Sequence, residues 1–200
     1  MRAHAVALSL LAALALAGCF PLPADIPSAP RTFDPALIEG TWFIHATNFP
    51  TWTSGDNTEA HLTYERRPAA DGVVELDDRV EFLSDGKPAS YIGYDTQDPA
   101  KDTHFTWRGN GILALFPTEW YVALVDRRGR WLVTYYCDTV PALHAVEVIS
   151  KSKSIDDDHL KDALDAIAAD PFLKPRSEGI KRVFLYAPSP VSGDGEKASP

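Results

Sequence analysis

The feature that most constrains the fold is a succession of short segments with high β-propensity between residues 40 and 151. Turn-forming stretches such as "PAADG" and "SDGKP" separate these segments, and no helical pattern interrupts them. Short strands at even spacing are typical of antiparallel sandwiches and barrels. The sequence therefore predicts an antiparallel, all-β core.

The segments that we predict as strands are, in order, "GTWFIHATN", "EAHLTYERR", "VVELDDRVEFL", "ASYIGYDT", "DTHFTWRGN", "GILALF", "EWYVALVD", "WLVTYYCD" and "LHAVEVISK". A helical pattern follows in "SIDDDHLKDALDAIAADP", where Ser154 and Asp157 have the spacing of a capping box. Its apolar residues recur at helical spacing and predict one face that packs on the sheet: Leu160, Ala163, Leu164 and Ile167. We predict a final strand in "IKRVFLYA".

The N-terminus has the pattern of a signal peptide. Arg2 precedes an uncharged run at residues 5–17, which is too short to span a bilayer. The run ends in "LAGC", which resembles the bacterial lipobox and implies a diacylglycerol on the sulfur of Cys19 and an acyl chain such as palmitate on its amine. An ordinary secretory signal that is cut nearby is the alternative. Phe20 in place of an aspartate favours the outer membrane of a Gram-negative bacterium, with the domain facing the periplasm.

Composition divides the chain into four parts. We predict a signal peptide at residues 1–18, a proline-rich tether at 19–36, one barrel domain at 37–186 and a disordered tail at 187–200. The formal net charge of −9 argues against binding to nucleic acid. With Cys19 acylated, Cys137 would be the only thiol, so we expect no intrachain disulfide and a buried Cys137.

The order of strands, helix and final strand resembles that of the lipocalins, and three motifs add to the likeness. Gly40 and Trp42 open the first strand, Asp126 stands at a strand-turn-strand pair, and Lys151 follows the last barrel strand where the family has arginine. The resemblance implies an eight-stranded antiparallel up-and-down barrel with the helix packed outside and a final strand after it. It also implies that Trp42 plugs the closed end beneath Lys151, with Gly40 placed where a side chain would crowd.

Two branches of the family share further detail. Bacterial lipocalin lipoproteins share the lipobox. "GTWFIHATNFPTW" and "EWYVALVDRRGRWLVTYY" are similar to strands of the lipocalin domain of plant violaxanthin de-epoxidases. In those enzymes an aspartate follows the Pro-Thr-aromatic motif, whereas Thr53 follows here and Asp56 is the nearest carboxylate. The enzymatic hypothesis therefore rests on Asp56, whose surroundings "SGDN" are equally typical of a solvated turn.

An eight-stranded barrel is wide enough to hold one small ligand. Our candidates for its aromatic lining are Trp52, Tyr94, Trp107 and Tyr121, although each has the composition of an ordinary core or surface residue. The histidines at positions 45, 61 and 104 have no metal-binding spacing, so we expect no metal.

Three functions stay open. The favoured one is a membrane-anchored lipocalin that binds or carries a fatty acid, a lysophospholipid or a carotenoid, with no cofactor and no catalysis. The second is a de-epoxidase acting on a xanthophyll epoxide through Asp56, with ascorbate as the reductant. The third is a structural envelope lipoprotein whose barrel is filled by its own side chains.

Overall fold

The computed structural model describes residues 29–30, 32–70, 72–137 and 144–183. The strands are β1 (Gly40–Thr47), β2 (Asn57–Arg67), β3 (Glu75–Ser84), β4 (Lys87–Asp98), β5 (Lys101–Gly109), β6 (Thr118–Val125), β7 (Leu132–Cys137), β8 (His144–Ser150) and β9 (Lys181–Arg182). The helices are α1 (Pro50–Thr53) and α2 (Asp157–Ala169), with 3-10 turns at Pro35–Leu37, Gly111–Leu115 and Lys174–Arg176.

The first eight strands form a closed up-and-down barrel, as predicted. Each pairs antiparallel with the next along the chain, and β1 pairs with both β2 and β8, so the sheet has no gap. The final strand β9 adds to the end of β1, where Ala46 faces Arg182 and Thr47 faces Lys181. Closure pairs both edges of the meander, which removes the exposed edges that favour aggregation.

Helix α2 packs on the outside of the barrel, and Leu160, Ala163 and Ile167 on its inner face are buried, as the apolar spacing predicts. The predicted cap at Ser154 is wrong. The helix begins after Asp156, whose carboxylate accepts a hydrogen bond of 2.8 Å from the backbone N–H of His159. An aspartate in this position also places negative charge at the positive end of the helix dipole.

The segment "GILALF" was predicted as a strand and forms a 3-10 helix instead, at Gly111–Leu115. Gly111 has a φ of +62°, which breaks the extended conformation at its start. The segment connects β5 to β6 and leaves Ile112 and Leu115 71% and 69% exposed. Strands β5 and β6 already pair with each other, so the segment between them does not become a strand despite its high β-propensity.

The closed end of the barrel is built around Trp42. Its indole N–H donates to the carbonyl oxygen of Ile38 at 2.6 Å. The ammonium nitrogen of Lys151 lies 5.2 Å from the centre of the Trp42 ring and donates to the carbonyl oxygen of Glu39 at 2.9 Å. Ile38 and Phe33, which precede β1, are buried in the same cluster.

Gly40 is needed for a different reason than the predicted crowding. Its φ is +102°, a left-handed value that disfavours a side chain, and a Cβ there would meet nothing closer than the Lys151 nitrogen at 3.9 Å. The backbone conformation, and not the space around it, therefore selects glycine at the entry to β1.

Asp126 organises the turn between β6 and β7. One of its carboxylate oxygens accepts from the backbone N–H groups of Arg128 and Arg130, and Nε and Nη2 of the Arg130 side chain donate to the carboxylate at 2.8 Å. The Arg130 hydrogen bonds hold the pKa of Asp126 well below its usual range. Arg130 also lies 3.7 Å from Asp162, so the turn is connected to α2.

Cys137 is buried on β7, as expected, at 1% exposure. It is disulfide-bonded. The expectation of no intrachain disulfide is therefore wrong. Cys19, residues 1–18, most of the tether and the tail at 187–200 lie outside the described residues, as does the second half of the predicted last strand. Within the described ranges, no helix has the length and apolar character to cross a membrane.

Candidate ligand cavity

The alternation of side chains along each strand separates the barrel interior from its outer face. On β3, Leu76, Asp78, Val80 and Phe82 point inward, while α2 covers the outward residues Val133 and Tyr135 of β7. Phe105 and Trp120 stack with their ring centres 4.5 Å apart. These buried rings fill the barrel between the closed end and a cavity near the opposite end.

The cavity has a volume of about 260 Å³. This is slightly below the range of roughly 300–1,000 Å³ that is common for pockets binding drug-sized ligands, so it suits one slender molecule. Trp52, on α1, is 6% exposed and meets the ring of Phe82 edge-on at 5.4 Å. The aromatic side chains that line the cavity are Phe49, Trp52, Tyr91, Trp107, Trp120 and Tyr136.

Two glycines make room for Trp107. A Cβ at Gly93, the neighbouring inward position of β4, would lie 2.7 Å from the Trp107 indole nitrogen and 2.4 Å from the carbonyl oxygen of Arg108. A Cβ at Gly109 would lie 2.5 Å from the far edge of the same indole. Real Cβ atoms do not approach this closely, so both glycines are required for the indole to lie along the wall.

Three carboxyl groups are buried inside the barrel. Asp78 and Glu147 line the cavity, at 7% and 1% exposure, and Asp95 lies fully buried beside Asp78. The indole N–H of Trp120 donates to Asp95 Oδ1 at 2.7 Å. The hydroxyl of Thr47 is 3.4 Å from Glu147 Oε1. Such groups are costly to bury unless they are neutral or paired.

Two carboxyl oxygens in this region, Asp78 Oδ1 and Asp95 Oδ2, lack a hydrogen-bond partner among the described residues. The hydroxyl of Tyr136 is close to Tyr64, Thr134 and Glu147. Buried polar atoms are normally satisfied, so an unpartnered oxygen beside a cavity marks a place where a bound molecule could form a hydrogen bond. We call Asp78, Tyr136 and Glu147 the carboxyl site.

Burial favours the neutral form of these acids. It raises the pKa of Glu147 to about 8, against the opposing hydrogen bond from Thr47. Burial also raises the pKa of Asp95 to about 7, although the Trp120 indole opposes the shift. For Asp78, burial and the charge of Asp95 together raise the pKa well above its usual value. A protonated carboxyl group can donate a hydrogen bond as well as accept one.

The structure brings two of the four predicted lining residues together, since Trp52 and Trp107 both face the cavity. Tyr94 and Tyr121 do not line it. Tyr94 lies on the outer face, with the guanidinium of Arg67 4.7 Å from its ring centre. Tyr121 also points outward and stacks on His104 at 4.4 Å. Each precedes or follows an inward residue by one position, so strand alternation turns it away.

Asp56 is exposed in the turn between α1 and β2 and does not line the cavity. The position of Asp56 therefore adds no support to the enzymatic hypothesis. His45 is buried and Nε2 lies 2.8 Å from the hydroxyl oxygen of Ser150, and burial lowers its pKa to about 4. His104 lies 3.1 Å from Asp98 on the outer face. In the described part of the chain, no three metal-binding side chains lie together.

Sequence reasoning missed the carboxyl site, although a signal was present. Asp78 is in phase with the inward residues Leu76 and Val80 along "ELDDRVEFL", and Glu147 is in phase with Ala145 and Ile149 along "HAVEVIS". An acidic residue in phase with apolar ones on a strand marks a carboxyl group that faces the interior.

No protein-family model matches the sequence, and no curated protein matches it. Several solved structures are similar to this chain. Lobster apocrustacyanin A1 is 14% identical with a TM-score of 0.55, over 83% of this chain and 94% of that one. Lipocalin 12 from rat epididymis is 11% identical with a TM-score of 0.55, over 80% of this chain and 90% of that one.

The siderocalin Ex-FABP, described as functioning through dual ligand specificities, is 11% identical. Its TM-score is 0.51, over 76% of this chain and 96% of that one. At identities this low, similarity between structures shows the fold and leaves the ligand open. The closed barrel, the helix outside it, the final strand and these neighbours together show that the chain adopts the lipocalin fold.

Proposed function

We propose that this protein binds one small hydrophobic molecule inside its barrel. The observation that carries the proposal is the cavity of about 260 Å³, bordered by aromatic side chains near one end of a barrel whose other end is closed by Trp42. Concave, mostly apolar pockets with a few polar groups are the usual form of small-molecule sites.

The shape of the cavity favours a slender ligand with one apolar chain. Fatty acids, lysophospholipids and carotenoids were the classes expected from the sequence, and each offers a chain that could contact Trp52 and Trp107. The cavity also counts against the third hypothesis, in which side chains fill the barrel completely. The de-epoxidase hypothesis gains no support from the position of Asp56.

Binding can be tested by native mass spectrometry of delipidated protein that has been incubated with one representative of each class. We expect one apolar molecule to be retained per chain, and failure to retain any would reject the proposal. Trp107→Leu should weaken binding about tenfold or more, because it removes a large ring from the wall. Tyr94→Leu is the matched control, since Tyr94 lies on the outer face of the adjacent strand.

We also propose that the domain is held at the periplasmic face of the outer membrane by a lipid on Cys19. The support is the lipobox "LAGC". Several acyl chains would anchor the protein far more firmly than one. Acylation of the Cys19 sulfur and a disulfide through the same sulfur exclude each other within one molecule.

Intact mass of protein isolated from its native membranes tests the anchor. We expect a mass increase that corresponds to acyl chains, and release of the Cys19→Ala variant from the membrane fraction. A mature chain with an unmodified mass would reject the anchor while leaving ligand binding unaffected.

A further inference from the structure

We infer that the carboxyl site receives an uncharged, oxygen-bearing end of the ligand, such as an alcohol or carbonyl oxygen, and selects against a ligand carboxylate. The inference rests on the proposed function, because it assigns the chemistry of one end of the molecule that the barrel would hold. It narrows the classes considered above, since it disfavours an ionised fatty acid.

The first step is geometric. Asp78 and Glu147 reach the cavity from β3 and β8, two strands that are not neighbours in the barrel, and Tyr136 reaches it from β7. Tyr136 is close to both acids, because after burial the charges of Glu147 and then Asp78 raise the pKa of its phenol. These polar groups therefore form one cluster on the wall of an otherwise aromatic cavity.

The second step concerns satisfaction of hydrogen bonds. Asp78 Oδ1 has no hydrogen-bond partner among the described residues, and Asp78 is more than nine-tenths buried. A protonated carboxyl group and a phenol are both donors that an oxygen with free lone pairs can satisfy. Leaving such groups unpaired would cost about 1–3 kcal/mol for each one, so the site favours an occupant with an acceptor atom.

The third step concerns charge. None of the described residues that line the cavity is a lysine, an arginine or a histidine. A ligand carboxylate would therefore be buried beside two acids without a counter-ion, which disfavours its charged form. The uncharged end of an alcohol or ketone carries no such penalty.

An amine is the remaining alternative, and protonation of the site disfavours it. A buried ammonium group requires an ionised carboxylate as its partner. Near neutral pH, burial keeps Glu147 protonated, because its pKa is about 8. The other titratable groups that face the cluster are Asp95, Tyr64 and Tyr136, and burial raises the pKa of each, so all of them favour the neutral form.

The test compares three probes with the same apolar chain and different ends: dodecanol, dodecanoate and dodecylamine. Binding to the delipidated protein at pH 7 can be followed through the fluorescence of the cavity tryptophans Trp52, Trp107 and Trp120. We expect dodecanol to bind at least tenfold more tightly than either charged probe. Tenfold corresponds to about 1.4 kcal/mol, a modest penalty for burying one charge.

The outcomes separate the inference from the proposed function. If none of the probes nor any other apolar molecule binds, the proposed function fails. If all three bind equally, the barrel binds apolar chains and the inference about its polar end is wrong. Tightest binding by dodecylamine would also overturn the inference, because it would show that the acids are ionised, and tightest binding by dodecanoate would overturn it directly.

Two variants assign the effect to the site. Glu147→Gln and Asp78→Asn keep a hydrogen-bond donor of similar size, but the amide cannot ionise as the carboxyl group does. We expect dodecanol binding to weaken severalfold between pH 7 and pH 9 in the unmodified protein, and less so in either variant. Glu81→Gln is the control, because Glu81 lies on the outer face of β3 with 46% of its side chain exposed. An unchanged pH profile in both variants would contradict the assignment.

Discussion

The two ends of the barrel treat their polar groups in opposite ways. At the closed end, the Trp42 indole N–H and the Lys151 ammonium group each have a carbonyl acceptor within 2.9 Å. At the cavity, Asp78 Oδ1 has no partner among the residues described. The comparison teaches that the closed end pairs its polar groups within the protein, which favours stability, whereas the cavity keeps a buried carboxyl oxygen that a ligand could pair.

The largest expected effect is on stability at the closed end. Trp42→Ala removes a buried ring and should reduce the free energy of unfolding by about 3–5 kcal/mol, as measured by urea denaturation. Lys151→Ala should cost only about 0.5–1 kcal/mol, because it removes one cation-π contact from the same ring. Ligand affinity of the folded fraction should not change in either variant, since neither residue lines the cavity. A loss of ligand binding without a loss of stability would contradict the proposal that the closed end serves stability and the cavity serves binding.

The next largest effect is the dependence of stability on pH, to which two acids contribute with opposite signs. The pKa of Glu147 is raised from 4.5 to about 8, so its contribution to stability is full below pH 4.5 and is lost as the pH rises through 8. The pKa of Asp126 is lowered in the folded protein. Its contribution to stability is therefore present above the pKa of the unfolded chain and is lost as the pH falls below that value. Stability should therefore decline on both sides of a weakly acidic maximum.

Thermal denaturation between pH 2 and pH 9 checks this dependence in the protein and in Glu147→Gln. The variant should remove much of the alkaline decline, and we expect it to be more stable than the unmodified protein at pH 8 by about 4 kcal/mol, given about 1.4 kcal/mol for each pKa unit. Glu81→Gln should leave the decline unchanged. Equal alkaline declines in Glu147→Gln and the unmodified protein would show that Glu147 is not the acid responsible.

A smaller effect is expected at the wall of the cavity. Gly93→Ala would place a Cβ 2.7 Å from the Trp107 indole and 2.4 Å from a backbone carbonyl oxygen, so the strand and the ring must shift. Overpacking of this kind typically costs about 1–3 kcal/mol. Unlike Trp42→Ala, this variant should also weaken ligand binding, which titration of tryptophan fluorescence would measure. Ser90→Ala, at an exposed position of the same strand, is the control.

The smallest expected effect is at Asp56. Asp56→Ala should leave both stability and ligand affinity within experimental error, because the side chain is exposed outside the cavity. Incubation of the protein with violaxanthin and ascorbate should give no turnover that depends on this residue. Turnover by the unmodified protein that disappears in Asp56→Ala would restore the enzymatic hypothesis and place function at the surface of the mouth.

The sequence predicts the frame of the fold well, because strand alternation, turn composition and helix spacing are local signals. The order from β1 to α2 and the approach of Lys151 to Trp42 agree with it. The failures have local causes too. "GILALF" has the composition of a strand, but no neighbouring strand is left for it to pair with. The residue that caps the helix is Asp156 and not Ser154, because the Asp156 carboxylate accepts from the third N–H of the helix.

The cavity was predictable only in part. Trp107 and Trp52 could be proposed as lining residues, but choosing between them and Tyr94 or Tyr121 requires the inward phase of each strand. That phase depends on register, which is set by bulges such as the one between Val122 and Leu124 in β6. The close approach of Gly93 to the Trp107 indole joins two strands and has no local signature in the sequence.

Because Trp42 and Lys151 close one end, a ligand has to enter and leave by the same mouth, past the rings of Trp52 and Tyr91. In the proposed orientation, the atom that reaches Asp78 would enter first and would shed its water before it gains a new partner. If this step slows entry, exit at a given affinity is slowed in proportion, because affinity is the ratio of the two rate constants. The residence time of the ligand, and not its affinity alone, then sets how long the protein holds it.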